Sequence, residues 1–293
     1  MTEPHRTLVV VHAHPDDEAL SNGGTLQHYG RLGVRTVVVM CTGGEAGEIS
    51  DPALATPENL GEVRRQETEN AMAILGVDRL FWLGYRDSGM AGTPENDDER
   101  SFNRANVEEA VGRLVKLLRE ERPQVISSYD VNGTYGHPDH VMAHRVAQAA
   151  YWAAGDPNRF KDAGPAWTVP KLYEQVNPRS NMVKMREVMR AAGVERRRED
   201  ESEEQEEKRF QERLQRFAVP DYGVTTLIDI RDFVDKKRDA VLAHKTQMGP
   251  NGRFQRTPDE LRRQMWTHER YRLVAGPFAP GPEGVETDLF AGL

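Results

Sequence analysis

Thr7-Leu8-Val9-Val10-Val11-His12-Ala13-His14-Pro15-Asp16-Asp17-Glu18 is the stretch from which the rest of this chain can be read. The apolar, β-branched run from Thr7 to His12 has the composition of a buried strand. Directly behind it come one imidazole and two adjacent carboxylates, His14, Asp16 and Asp17. Neighbouring side chains diverge at the end of a strand, so one Asp can bind a metal while the other faces a water molecule. A second cluster, His137-Pro138-Asp139-His140, follows another β-type run, Gln124 to Tyr129. Zinc and hard divalent cations take imidazole nitrogen and carboxylate oxygen, and a catalytic site needs three such ligands plus an open position for water. Each cluster sets Pro behind a His, which turns the backbone. Together the two predict a hydrolytic metal site, with His12, on the same strand face as His14, in a supporting place.

Working outward, Val34 to Cys41 and Leu80 to Leu83 read as further buried strands. Glu58 to Leu75 and Asn106 to Glu120 carry apolar residues at helical spacing. Such alternation predicts an α/β fold: a Rossmann-like, mostly parallel sheet with helices on both faces. Ligands of these sheets sit outside the carboxyl ends of the strands, where both clusters fall. The expected division is a Rossmann-like metal-binding core over 1–170 and a smaller C-terminal α+β portion over 171–293 that completes the substrate cleft. In that portion Lys171 to Val176 and Val224 to Ile230 read as strands, and Arg231 to Met248 and Pro258 to Val274 as helices. A loop then leads to a tail from Glu286. The charged helical insertion 185–217 mixes both signs and reads as a solvated face, with the mouth of the site or a subunit contact as other uses.

Composition narrows the function classes. The chain has 293 residues, enough for a full core, and 39 Lys+Arg against 47 Asp+Glu leave a net charge of -8. That balance disfavours nucleic acid and anionic membrane as partners and suits a small polar substrate. One cysteine, Cys41, excludes an intrachain disulfide and a multi-cysteine zinc site. With no signal-peptide pattern and no long apolar stretch, a cytoplasmic location is expected. A homo-oligomer is compatible with the sequence. His5, His28, His144, His244 and His268 read as ordinary surface or hydrogen-bonded residues.

The motif around His14 to Glu18, with Gly133-Thr134-Tyr135-Gly136 ahead of the second cluster, resembles the PIG-L/LmbE-like family of zinc-dependent N-acetylglucosaminyl deacetylases. Ser21-Asn22-Gly23-Gly24, Cys41 to Glu48, Arg64 to Glu67 and Arg86 to Thr93 resemble its mycothiol branch. The resemblance implies that His14, Asp17 and His140 bind one Zn2+, with Asp16 as general base on the attacking water. It further implies that Tyr135 and His137 stabilise the tetrahedral oxyanion, His137 in its charged form and able to protonate the leaving amine. Asp139 would fix the His137 imidazole. Ser21, Glu48, Arg64 and Asp87 match positions near the glycoside. Arg64 also reads as a helix-surface partner of Glu67, and Asp87 as a loop turn. Fe2+ and Co2+ accept the same donor atoms.

The implied activity is removal of acetyl from an N-acetylglucosaminyl-inositol. The stretch from Gly252 to Pro258 and the segment around Trp266 resemble instead the mycothiol S-conjugate amidase, which keeps amide hydrolysis of a thiol conjugate as an alternative. A catalytically silent sugar-binding protein of the same fold is the alternative from another class.

Overall fold

All six residues of β1 (Thr7–His12) are buried, as a central parallel strand covered on both faces requires. The computed structural model describes residues 6–194, 201–249 and 252–293. The other strands are β2 (Arg35–Thr42), β3 (Arg79–Tyr85), β4 (Val125–Tyr129), β5 (Lys171–Gln175), β6 (Thr226–Asp229) and β7 (His268–Ala275). They form one sheet in the order β3-β2-β1-β4-β5-β7-β6. β1 to β5 run parallel, and β7 is antiparallel to both β5 and β6. The mostly parallel α/β sheet expected from the sequence is therefore present.

The helices are α1 (Asp17–Arg31), α2 (Leu60–Leu75), α3 (Val107–Glu121), the single turn α4 (Gly133–Gly136) and α5 (Pro138–Ala154). After them come α6 (Arg179–Ala191), α7 (Glu203–Phe217), α8 (Val234–Ala243), α9 (Arg253–Arg256) and α10 (Asp259–Met265). Side-chain alternation along the strands feeds two cores. Val9, Val11, Val37 and Val39 pack with Val111 and Leu114 of α3 and Val146 of α5. Leu8, Val10, Val38 and Met40 pack on the other face with Leu26, Leu75 and Val241 from α1, α2 and α8.

Strand order reverses between β1 and β4, since the chain builds β2 and β3 to one side and β5 to the other. The crevice of a doubly wound sheet opens at that reversal, outside the carboxyl ends of the two strands. His14 follows β1 and the second cluster follows β4. The topology thereby brings together two motifs that lie far apart in the chain.

Two expectations need correction in the C-terminal part. Pro258 to Val274 is not one helix: α10 ends at Met265, and the rest pairs as β7. His268, Glu269, Arg270 and Arg272 lack the look of a strand, but hydrogen bonding to β5 and β6 overrides local propensity. The tract 185–217 is likewise not continuous. α6 and α7 pair through Arg186, whose guanidinium meets Glu206 at 2.6 Å and Glu207 at 2.7 Å, while 195–200 lie outside the described residues. Phe217, at the end of α7, packs against Gly136 beside the second cluster. The tail is also built in: Glu286, Leu289 and Phe290 are fully buried.

Candidate metal centre

The turn after β1 is held from below. Asp16 has φ 99°, in the left-handed region that residues with a side chain seldom adopt. Its amide donates to Glu18 Oε2 at 2.9 Å, and Glu18 Oε1 lies 2.8 Å from His244 Nε2. Glu18 and His244 are both fully buried. Arg64, 3% exposed, donates to the Pro15 carbonyl at 2.5 Å and the Gly44 carbonyl at 2.9 Å, and lies 3.6 Å from Asp16 Oδ2. Asp16 precedes α1 without a side-chain cap bond, so its carboxylate is not spent on the helix terminus. Burial pushes that carboxyl up to about 7, against the charge of Arg64 and with that of Asp17.

The second cluster is shaped by Asp130, whose Oδ1 accepts from the amides of Asn132 and Thr134, both at 3.0 Å. Gly133, at φ 59°, sits so close to His140 that a Cβ would fall 2.6 Å from the His140 Cβ. Pro138 then opens α5. His137 caps the helix, its Nδ1 accepting the Asp139 amide at 3.2 Å.

Across the crevice, His140 Nε2 is 3.2 Å from both His14 Nδ1 and Asp17 Oδ2, and His14 Nδ1 is 3.5 Å from Asp17 Oδ2. Donors about 2.0–2.2 Å from a tetrahedral ion lie roughly 3.3–3.6 Å from one another. The three atoms therefore make one face of a tetrahedron of zinc size. His14 turns its other nitrogen, Nε2, to Asp139 Oδ2 at 3.2 Å and Asp87 Oδ1 at 3.5 Å, the carboxylate–histidine arrangement that orients metal ligands. Burial opposes a charge on His14, yet Asp87, Asp139 and Asp17 hold its pKa well above the ordinary value. A field that favours a proton there also favours a metal cation. Within a wider limit of 4.8 Å His14 also groups with His137 and His140, and separately with Asp87 and Asp139. However, His137 Nδ1 is occupied by the Asp139 amide, and Asp139 accepts from both the amide and the hydroxyl of Ser88.

The family described as PIG-L, GlcNAc-PI de-N-acetylase, matches residues 9–151, which contain both clusters. A 1D-myo-inositol 2-acetamido-2-deoxy-alpha-D-glucopyranoside deacetylase from Geodermatophilus obscurus is 42% identical over 299 residues, covering 99% of this chain and 99% of that protein. The chain belongs to the PIG-L family. A second relative of the same printed name, deacetylase 1 from Catenulispora acidiphila, is 40% identical, covering 98% of this chain and 90% of its own length. Among solved structures, the N,N'-diacetylchitobiose deacetylase of Pyrococcus horikoshii has a TM-score of 0.63 at 20% identity, covering 92% of this chain and 84% of its own. GalB, a 4-carboxy-2-hydroxymuconate hydratase from Pseudomonas putida, has 0.61 at 19%, covering 94% and 99%. These two likenesses show the PIG-L fold, and a hydratase among them means that the reaction must be argued from the site.

Of the residues expected at this PIG-L centre, His14, Asp16, Asp17, Tyr135, His137, Asp139 and His140 come together. Tyr135 stands at the mouth, 38% exposed, its hydroxyl 3.5 Å from His140 Nε2. Two roles change. Asp139 does not fix His137 with its side chain. Its carboxylate lies under His14, drawn there by Ser88, and only its amide meets His137. For His137 burial first, then the charges of His14 and His140, bring the imidazole down to about 3, a direction that favours its neutral form over the charged one expected. A cation at the centre would act in the same direction. With Nδ1 accepting, the neutral ring carries its proton on Nε2.

Arg64 does not form the surface pair with Glu67, whose oxygens instead take the Thr246 amide at 2.8 Å and hydroxyl at 2.6 Å. Its guanidinium is turned to the Pro15 turn and Asp16. Asp87 is more than a loop turn. Burial would raise its carboxyl, but the charge of His14 and bonds from His14 and the Gly89 amide hold it low. Ser21 is half-buried one turn beyond Asp17 on α1. Glu48 is exposed on the loop after β2, next to Gly47, which abuts the Arg64 guanidinium, and its carbonyl accepts from Gln247 Nε2 at 2.9 Å.

Sequence reasoning missed the roles of Tyr129 and Ser88 and the pairing of Glu18 with His244. Tyr129, the last residue of β4, donates to Asp17 Oδ2 at 2.7 Å and accepts the Ala13 amide at 2.7 Å. Its ring stacks on His140 with centroids 4.2 Å apart. His12 supports it from behind, Nδ1 at 3.3 Å. The strand pattern signalled burial of Tyr129 and nothing about its hydroxyl. Tyr129→Phe is expected to weaken metal binding roughly 10–100-fold, read by competition with a chromophoric chelator. It is also expected to cost about 1–3 kcal/mol for the unpaired Ala13 amide. Unchanged metal affinity would remove Tyr129 from the support of Asp17.

Proposed function

We propose that this protein is a zinc-dependent N-deacetylase that hydrolyses the acetamide of an N-acetylglucosaminyl-inositol. The observation that carries this reading is the three-donor face of His14, Asp17 and His140 with Asp16 beside it, in a chain that shares 42% identity along its whole length with a deacetylase of that name. A divalent cation on this face supplies Lewis acidity, making water nucleophilic near neutral pH and polarising a carbonyl.

Asp16, left free of capping and held against Arg64, takes the proton of the attacking water. As charge develops on the carbonyl oxygen, His137 Nε2–H and the Tyr135 hydroxyl donate to it, donors of a kind commonly worth a few kcal/mol. The departing amine needs a proton, and Asp16 then carries the one taken from water. A neutral His137 whose Nδ1 caps α5 is a hydrogen-bond donor here and not the acid. Asp139, Ser88 and Tyr129 keep His14 and Asp17 in place throughout. Ser21, Arg64, Asp87 and Glu48 remain the positions proposed for contacts with the glycoside or the turn that carries Asp16. Among the described residues no helix is long and apolar enough to cross a membrane.

The test is primary-amine release from N-acetylglucosaminyl-inositol and from a mycothiol S-conjugate, side by side. Chelator-stripped protein is expected to lose turnover, and stoichiometric Zn2+ to restore it, with metal content read by elemental analysis. Preferential cleavage of the conjugate, or full activity after stripping, would overturn this proposal.

A further inference from the structure

Beneath the turn that carries Asp16, the two oxygens of one carboxylate are divided between two tasks. Glu18 Oε2 accepts the Asp16 amide at 2.9 Å, and Oε1 faces His244 Nε2 at 2.8 Å. The second contact joins residues 226 apart in the chain, the start of α1 and the first residue after α8. Both side chains are fully buried. His244 lies outside residues 9–151, which match the PIG-L family, so a part of the chain beyond that match reaches under the reacting centre.

His244 is held in place independently of Glu18. Its amide donates to the Val241 carbonyl at 3.2 Å, and its carbonyl accepts the amides of Gln247 at 3.0 Å and Met248 at 2.8 Å. Two residues on, Thr246 gives its amide at 2.8 Å and its hydroxyl at 2.6 Å to Glu67 of α2, while its carbonyl accepts the Ser50 amide at 2.9 Å. Gln247 Nε2 reaches the Glu48 carbonyl at 2.9 Å. The segment 244–248 is therefore a strap fixed to α2 and to the loop after β2, and Glu18 rests against it. Asp16 needs such an abutment. Its φ of 99° belongs to a conformation that persists in a residue with a side chain only where the surroundings over-determine it. On the helix side the Asp16 carbonyl accepts the Leu20 amide at 3.0 Å. On the other side the bond from its amide to Glu18 supplies the constraint.

A buried carboxylate–imidazole pair is weak evidence for stability, because apolar side chains of similar volume often serve as well. Its value here is geometric. The Nδ1 atom of His244 has no hydrogen-bond partner among the described residues, so the ring acts at one atom, Nε2, on one oxygen of Glu18 whose other oxygen holds Asp16. We infer that His244 is a positioning residue for the proposed base: through Glu18 it fixes the backbone of Asp16 so that the carboxylate stays aimed at the water on the metal face. The inference rests, for its kinetic readout, on the deacetylase function proposed above.

Glutamine can set its amide nitrogen where histidine has Nε2, whereas asparagine reproduces only the Nδ1 position and falls short of Glu18. On N-acetylglucosaminyl-inositol, kcat is expected to stay within about threefold of wild type in His244→Gln and to fall roughly 10–100-fold in His244→Asn, the loss that follows when a reacting group is displaced by about an ångström. KM and zinc content should remain within about twofold of wild type in both, as for an interaction that matters only in the transition state. A histidine that merely stabilised the fold would leave the kcat of folded, zinc-loaded His244→Asn unchanged, and that result would overturn the inference. Equal losses in the two variants, or zinc lost together with activity, would overturn it as well. Should His244→Asn not fold, Glu18→Asp takes its place. Shorter by one methylene, it cannot reach both the Asp16 amide and His244, and the same fall in kcat at full zinc content is expected, with an unchanged kcat as the contrary result. If the thiol conjugate is the preferred substrate, the comparison is made on it. Should wild type release amine from neither substrate, the deacetylase proposal falls, and the positioning is judged by NMR. The Asp16 amide proton, carried downfield by its bond to Glu18, should then move upfield in His244→Asn and hold its place in His244→Gln. A resonance unmoved in both variants would overturn the inference.

Discussion

Asp16→Asn is expected to lower kcat by about 10^2–10^4-fold, the range associated with losing a positioned general base, while zinc content stays at the wild-type level. An amide cannot take the proton of the attacking water, and the three donors of the metal face lie on His14, Asp17 and His140. The substitution suits this position for a backbone reason as well. Asp16 has φ 99°, and Asn tolerates the left-handed region better than most residues, so the turn between β1 and α1 is kept. Metal analysis, Tm and single-turnover amine release on one preparation decide the matter. A variant that loses zinc together with activity would make Asp16 a ligand, and one that retains near-normal turnover would remove it from the proton pathway.

The second large effect concerns stability. Lys171 and Glu286 are both fully buried, with Nζ 2.7 Å from Oε1. Glu286 also accepts from Tyr173 at 2.6 Å, Thr226 at 2.9 Å and the Ala279 amide at 3.0 Å. Lys171→Met leaves that carboxylate buried without its cation, a change that costs about 3–5 kcal/mol, a large share of the 5–15 kcal/mol typical of a folded protein. The midpoint of urea unfolding should drop with an unchanged slope. Adding Glu286→Gln should recover part of the loss, and failure to recover any would show that the pair is not the cause.

The pH dependence has a definite sign. Burial would raise the Glu286 carboxyl, but Lys171, Tyr173, Ala279 and Thr226 hold it below the ordinary value. A depressed carboxyl contributes stability that is complete above the unfolded pKa of about 4.3 and is lost as pH falls through the folded value. The gap between wild type and Lys171→Met should therefore be full at pH 7 and narrow in acid below about pH 4.

Local sequence carried much of this. Apolar, β-branched runs that end in His-Pro-Asp clusters are signals within a few residues of each other, because strand burial and turn formation depend on near neighbours. They were sufficient for β1, β4, the parallel sheet and the meeting of the two clusters at the strand ends. Resemblance supplied the division of labour between Asp16 and Asp17. The helical reading of 258–274 failed where the chain obeys distant partners: β7 is a strand because β5 and β6 pair with it.

From the sequence by itself came the fold class, the two motifs and the expectation that they meet at strand ends. Only the tertiary structure decided which side chain faces which. Asp139 serves His14 and not His137, Arg64 lies beneath Asp16 instead of on the surface, Tyr129 holds Asp17, and the segment around Glu286 is core. Each of these partnerships joins residues from separate elements. Periodicity reports that a side chain is buried, but its hydrogen-bond partner is set by how strands and helices stack, and that arrangement exists only once the chain has folded.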